Sequence, residues 1–219
     1  MNHTLEIHTI VSLPFQENNY IVWRSDRTDA LVVDPGLDPE AILEFLEERS
    51  LLPAVLLNTH GHADHIAGNE ALKQRYPAAP LVIGVNDAPL LTDPDLNLSS
   101  PFGFAIVSPP ADQLVREGDV LEYAGLRLEV RDIPGHSPGH VVFVLAGEGA
   151  ATIVLGGDVL FRGSIGRTDF PNGSFDVLAA GIRAKLYTLP DDTVVYPGHG
   201  SVTTVGYEKR TNPFVPAMG

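Results

Sequence analysis

The chain is expected to fold as one α/β domain in which two β-sheets pack together with helices on the outside. Three observations carry that expectation. Strand signals come first and a helix signal later, and this order occurs twice along the chain. Of the 219 residues, 44% are hydrophobic and 19% charged, enough apolar material for a sizeable core and too much for a disordered chain. No low-complexity tract, internal repeat or linker divides the sequence, so residues 1–219 read as a single domain.

The elements follow in order. Apolar runs closed by turn residues predict strands at 5–15, 19–24 and 29–36. Residues 38–50 predict a helix, with Asp38 as N-cap and Pro39 at the first helical position. Ile42, Leu43, Phe45 and Leu46 form its apolar stripe. A short buried strand over 53–60 runs into a histidine cluster, followed by a helix over about 66–76 and a strand at 80–85. Residues 86–112, rich in Pro, Asp, Ser and Asn, predict a long irregular excursion, a length uncommon without a function. Covering a cleft and contacting a second copy in a homo-oligomer are both open to it. The second half predicts strands at 119–125, 126–135, 140–147 and 151–158. A helix at 174–189 with Ser174 as N-cap and a last strand at 193–200 follow.

Charge and composition narrow the function. A net charge of −14 disfavours nucleic acid as a partner. No apolar run approaches the ~20 residues of a membrane helix, and no basic stretch precedes an apolar one at the start, so neither a membrane span nor a signal peptide is expected. Cysteine is absent, which leaves histidine and carboxylate as the ligands for any metal. Together these features point to the cytoplasm.

The stretch NTHGHADH at 58–65 crowds His60, His62, Asp64 and His65 into six positions. On an extended strand end, residues i and i+2 point the same way, so His60 and His62 can reach one metal. Asp64 and His65, displaced at the start of the next helix, can serve a second metal nearby. A polar loop explains a single histidine; it explains four ligand-type side chains in six residues poorly. Three more pieces match: His136 in a Gly/Pro turn, Asp158 at the end of a buried apolar strand, and His199 in a second Gly/Pro turn. A carboxylate at the end of such a strand is costly unless paired or metal-bound. All three lie just past the C-terminal ends of apolar strands, where loops can converge on one cleft. His140 is expected to pack or to support a ligand. His3 and His8 are expected to be structural or exposed.

The segments VDPG (33–36), THGHADH (59–65), PGHSPGH (134–140), GGDVLF (156–161) and PGHG (197–200) resemble the metallo-β-lactamase superfamily. The resemblance implies a four-layer αβ/βα sandwich with two divalent metal ions between the sheets, zinc foremost, with iron or manganese as alternatives. It implies His60, His62 and His136 around one ion, Asp64, His65 and His199 around the other, and Asp158 bridging them. Asp34 would be a buried support rather than a ligand. The segments 160–174 and 207–214 look like those of short bacterial glyoxalase II-like hydrolases. That likeness implies hydrolysis of a small thioester such as S-D-lactoylglutathione, with Arg167 binding a substrate carboxylate. The chain reaches only Gly219, so it is expected to lack the helical domain that follows the last histidine in full-length glyoxalase II.

The implied chemistry is attack on the thioester carbonyl by hydroxide from a water shared by the two cations, with Asp64 orienting it. Alternatives on the same scaffold are a persulfide dioxygenase, which would use one iron on His60, His136 and Asp158, and a lactonase. A β-lactamase that needs a cysteine ligand is excluded. An RNA-processing nuclease is disfavoured by the acidic charge. For Arg167 an ion pair with Asp169 is the competing reading.

Overall fold

A computed structural model describes residues 4–146 and 151–217. His3 and the last residue of the strand expected at 140–147 lie outside the described residues. Two six-stranded sheets form the centre. The first contains β1 (Leu5–Ser12), β2 (Glu17–Arg24), β3 (Asp29–Val33), β4 (Leu52–Leu57), β5 (Leu81–Gly84) and β6 (Gln113–Val115), in that order. The first three strands are antiparallel, and the parallel pairing β3 to β6 leaves room for helices between strands. The second sheet contains β7 (Val120–Tyr123), β8 (Leu126–Asp132), β9 (Val141–Leu145), β10 (Ile153–Gly157), β13 (Val194–Pro197) and β14 (Thr203–Thr204). Its spatial order is β14-β13-β10-β9-β8-β7. The pair β11 (Leu160–Phe161) and β12 (Ser164–Ile165) forms a small hairpin.

Side-chain alternation divides each sheet into two apolar faces. Tyr20, Val22, Leu31, Val33, Leu128, Val130 and Phe143 fill the space between the sheets. Ile21, Ala30, Val32 and Leu56 face outward and pack under α1 (Pro39–Glu48) and α3 (Asn69–Arg75) through Ile42, Leu46 and Leu72. Val142, Val144, Val154 and Val195 face outward from the second sheet. They pack under α4 (Phe175–Gly181) and α5 (Val205–Thr211) through Leu178 and Val205. Each large aliphatic side chain fully buried this way contributes roughly 1.5–3 kcal/mol. The layers are therefore helix, sheet, sheet, helix, as the αβ/βα expectation requires.

Several expected elements shift. Asp38 does not cap α1 with its side chain; its carboxylate accepts from the Leu13 amide at 3.3 Å, while Pro39 does open the helix. The helix expected at 66–76 is two, α2 (Ala63–Ile66) and α3, broken at Gly68. The Gly68 amide donates to the Pro35 carbonyl at 2.8 Å, and a Cβ there would press on the Pro35 and Gly36 backbone. Ser174 does cap α4, which then continues as a π-helical turn over Ile182–Leu186. The strand expected at 5–15 ends at Ser12. β6, the β11–β12 hairpin, β14 and α5 had no sequence expectation.

Candidate metal centre

Four loops at one end of the two sheets bring the ligand-type residues together. The first leaves β4 at Leu57 and carries His60 and His62 before α2 supplies Asp64 and His65. β4 ends at Leu57, short of the strand expected to reach residue 60, but His62 keeps extended backbone and the His60 and His62 rings meet at 4.7 Å between centroids. The remaining residues lie past the ends of β8 (His136), β10 (Asp158) and β13 (His199). The last loop is tied to β2: the Asn18 amide donates to the Gly198 carbonyl at 2.7 Å, and the Tyr20 hydroxyl to the Pro197 carbonyl at 2.6 Å.

Four overlapping groups of three ligand-type side chains occur among the described residues, two of them being His60, His65 and Asp158, and Glu17, Asp34 and His65. Ligand atoms of His60, His62 and His136 lie within 4.8 Å of one another, as do those of Asp64, His65 and His199. Asp158 stands between them. Its Oδ1 is 3.5 Å from His65 Nε2, and its Oδ2 is 3.4 Å from His136 Nε2 and 3.6 Å from His199 Nε2. A Cβ on Gly198 would collide with Asp158 Oδ1, so the approach of the two loops requires glycine there.

The far side of several rings is held by an oxygen, which fixes the ring and leaves the other nitrogen facing the centre. His136 Nδ1 pairs with the Arg167 carbonyl at 2.8 Å, and His199 Nδ1 with the Gln16 carbonyl at 3.2 Å. His65 Nδ1 pairs with Asp34 Oδ2 at 3.1 Å. Asp34 also accepts from the Thr59 amide and hydroxyl, both at 2.7 Å, so it sits behind the cluster as expected. His60 Nε2, His65 Nε2 and Asp158 Oδ1 are buried without a hydrogen-bond partner. An unpaired buried polar atom costs roughly 1–3 kcal/mol. Divalent cations bound here would satisfy these atoms, and the imidazole and carboxylate donors suit them.

Electrostatics sorts the residues. Burial, reinforced by neighbouring imidazoles, holds His60 and His62 well below the usual histidine range. Burial opposes charge on His65 too, but Asp64, Asp158 and Asp34 overcome it and raise the ring well above that range. His199 is raised against burial by its hydrogen bond to Asp64. Burial opposes ionisation of Asp64, yet His65 and His199 hold it below the usual carboxylate range.

Four further residues support the cluster, and three of them, Asp87, Glu17 and Asn58, escaped sequence reasoning. His140, expected to pack or support, accepts from the Asp158 amide through Nε2 at 3.0 Å and stacks on His60. Asp87 accepts from the Gly61 amide at 2.9 Å, the Ser137 hydroxyl at 2.6 Å and the Gly139 amide, which locks two histidine loops together. Glu17 is buried 4.0 Å from His65 Nδ1, and burial raises its carboxyl well above the usual range. Asn58 donates to the His65 carbonyl at 3.0 Å. Only His140 carried a signal, as the second histidine of PGHSPGH; Glu17, Asn58 and Asp87 match no spacing. Arg167 lines the cleft, and its guanidinium pairs with Asp169 at 2.9 and 2.7 Å above the Phe170 ring. His8 stacks on Phe45 at 3.9 Å, far from this chemistry.

A helix-sheet-sheet-helix sandwich with a histidine–aspartate metal-ion site at one sheet end defines a class of metallo-hydrolases. The model of the metallo-beta-lactamase superfamily matches residues 13–199, and the chain belongs to that superfamily. It is 38% identical over 214 residues to the hydroxyacylglutathione hydrolase GloC of Haemophilus influenzae, covering 96% of this chain and 98% of the relative. Among solved structures it is similar to BLEG-1, described as a B3 metallo-beta-lactamase, with TM-score 0.90, 37% identity and coverage of 96% and 99%. It is also similar to TTHA1623 in a di-iron-bound form, with TM-score 0.82, 38% identity and coverage of 94% and 99%.

Proposed function

We propose that the chain hydrolyses small thioesters with two divalent cations, zinc foremost and iron or manganese as alternatives the same donors accept. The observation that carries this reading is the reach of the Asp158 carboxylate to His65, His136 and His199 together. In this reading His60, His62 and His136 would hold one cation, Asp64, His65 and His199 the other, and Asp158 would serve both. Bound there, the cations would polarise a carbonyl oxygen and ionise a water near neutral pH.

The chain's own residues do the rest. Asp64, held ionised, orients the attacking water. Asp34 fixes the His65 ring, and the Arg167 carbonyl fixes His136. The Arg167 guanidinium is the candidate for a substrate carboxylate, which would have to displace Asp169. The likeness to GloC supports the thioester class, and that to the di-iron form of TTHA1623 supports two cations. No helix among the described residues is long and apolar enough to cross a membrane, and a cysteine-free chain suits the cytoplasm in this reading. A single-iron persulfide dioxygenase on His60, His136 and Asp158 would leave the buried His65 Nε2 unused. A lactonase would use the same residues as the thioesterase.

The test is a panel on metal-loaded protein: thiol release from S-D-lactoylglutathione and neutral thioesters, lactone opening, and oxygen uptake with glutathione persulfide. Thiol release is expected. In Asp158→Ala, metal content and turnover should both fall by more than the roughly 10–100-fold typical of a ligand's outer partner. Full occupancy with normal turnover in that variant would overturn the assignment.

A further inference from the structure

From the cleft, and resting on the thioester-hydrolase reading, we infer that the substrate presents a bulky, uncharged, apolar group beside the scissile bond. A cavity of about 590 Å³ opens directly onto His62, Asp64, His136, Asp158 and His199. Away from these residues its walls are mostly apolar, with Asn97, Ser99 and Arg167 as the polar exceptions. One wall is the turn after β1, with Leu13 and Phe15; facing it is the 96–106 excursion, with Phe102, Phe104 and Ile106. The two meet where the Phe15 and Phe102 rings lie edge to face at 5.6 Å. At the cavity floor, Phe170 packs against His62 at 5.3 Å and His136 at 5.8 Å, and Phe161 lies 6.2 Å from His199. Aromatic surface therefore flanks the reacting position on both sides.

Leu13, Phe102 and Phe104 stay 63%, 60% and 56% exposed. A contiguous apolar patch of this kind beside a polar centre marks a ligand-binding surface. It is not maintained by accident of the loop: Asn97 donates to the Leu90 and Ile106 carbonyls at 3.1 and 2.8 Å. The Asn97 carbonyl accepts from the Ala63 amide at 2.9 Å, at the start of α2. The aromatic residues are thus presented by backbone anchored to the metal-site helix.

Charge argues in the same direction. The glutathione half of a conjugate carries two carboxylates and one ammonium. Among the described residues lining the cleft, Arg167 is the sole lysine or arginine, and its guanidinium already binds Asp169 through two hydrogen bonds. The chain as a whole carries −14, which opposes an anionic ligand at long range. An acyl or thiol portion built of hydrocarbon fits these walls, and the one guanidinium among the described lining residues would pair with at most one of the two glutathione carboxylates.

The experiment uses zinc-loaded protein and two readouts. The first is kcat/KM for acetyl, hexanoyl and phenylacetyl thioesters of N-acetylcysteamine, beside S-D-lactoylglutathione. The second is calorimetric binding of acetate, hexanoate and phenylacetate, which needs no turnover. Both should rise about tenfold or more from the acetyl to the larger members, because each buried methylene adds to binding. The Phe102→Ser/Phe104→Ser double variant, checked for metal content and Tm, should flatten both series. If no thioester is cleaved but hexanoate still binds about tenfold tighter than acetate, the hydrolase reading fails and the inference about the cleft stands. If thioesters are cleaved but the series is flat, or S-D-lactoylglutathione is preferred tenfold over the hexanoyl thioester, the inference falls and the hydrolase reading stands. A dimer that the double variant dissociates, with both series flat, would assign these side chains to a second copy of the chain and overturn the inference.

Discussion

Burial drives His60, His62 and His140 toward the neutral imidazole, while the carboxylates beside His65 and His199 drive those two toward the charged form. The residues of one strip of sequence therefore differ in charge because they face different neighbours. His60 and His62 are held toward the form that offers a lone pair, and His65 and His199 toward the form that must release a proton as a cation binds. Titrating the apoprotein with zinc at pH 7 should release protons. The release should shrink as the pH rises, because solvent then removes those protons first. Calorimetry in buffers of different ionisation enthalpy measures it, and zero release at pH 7 would contradict the charge assignment. Arg167 shows the limit of reasoning one residue at a time. Its carbonyl holds His136, its guanidinium holds Asp169, and both uses coexist in one residue.

At the scale of elements, the strands with clean alternation and the capped helix α4 were legible because their signals are local. The break between α2 and α3 was not, since it depends on the close approach of Gly68 to Pro35 and Gly36 from another loop. α5 was missed for a related reason. It is anchored by Glu208, a buried carboxylate that accepts from the Thr203 hydroxyl, from Asn212 Nδ2 at 2.9 Å and from the Gly163 amide at 3.0 Å. That one side chain joins α5, β14 and the β11–β12 hairpin, none of which has a long periodic signal. Glu208→Ala should cost about 3 kcal/mol, since it strands several donors in a buried site. Denaturant unfolding measures the loss; a change under 0.5 kcal/mol would show the anchor to be dispensable.

For the whole molecule, residues from 34 to 199 converge on one site, and both sheets contribute. The unfolded chain holds no comparable arrangement, so cation binding is coupled to folding. With free zinc at about a thousand times its dissociation constant, the stabilisation is about 4 kcal/mol. In a domain of this size that corresponds to roughly 10 °C in Tm. Scanning calorimetry before and after chelation should show a drop of that order. An unchanged Tm, with metal demonstrably removed, would argue that the loops are held by their own hydrogen bonds alone.

The sequence by itself pointed to the two-sheet architecture and its apolar faces through local periods, to His60, His62, Asp64 and His65 through their short spacing, and to His136, Asp158 and His199 only through turns at apolar strand ends and the family resemblance. It also carried enough of the family's segments in order to reach the superfamily. Only the tertiary structure decided how Asp158 stands between the two groups, why Asp87, Asn58 and Glu17 lie behind them, and that the 86–112 excursion lines the cleft. Those facts depend on which loops meet across the two sheets. Contacts between residues far apart in the chain leave no period or spacing from which they can be read.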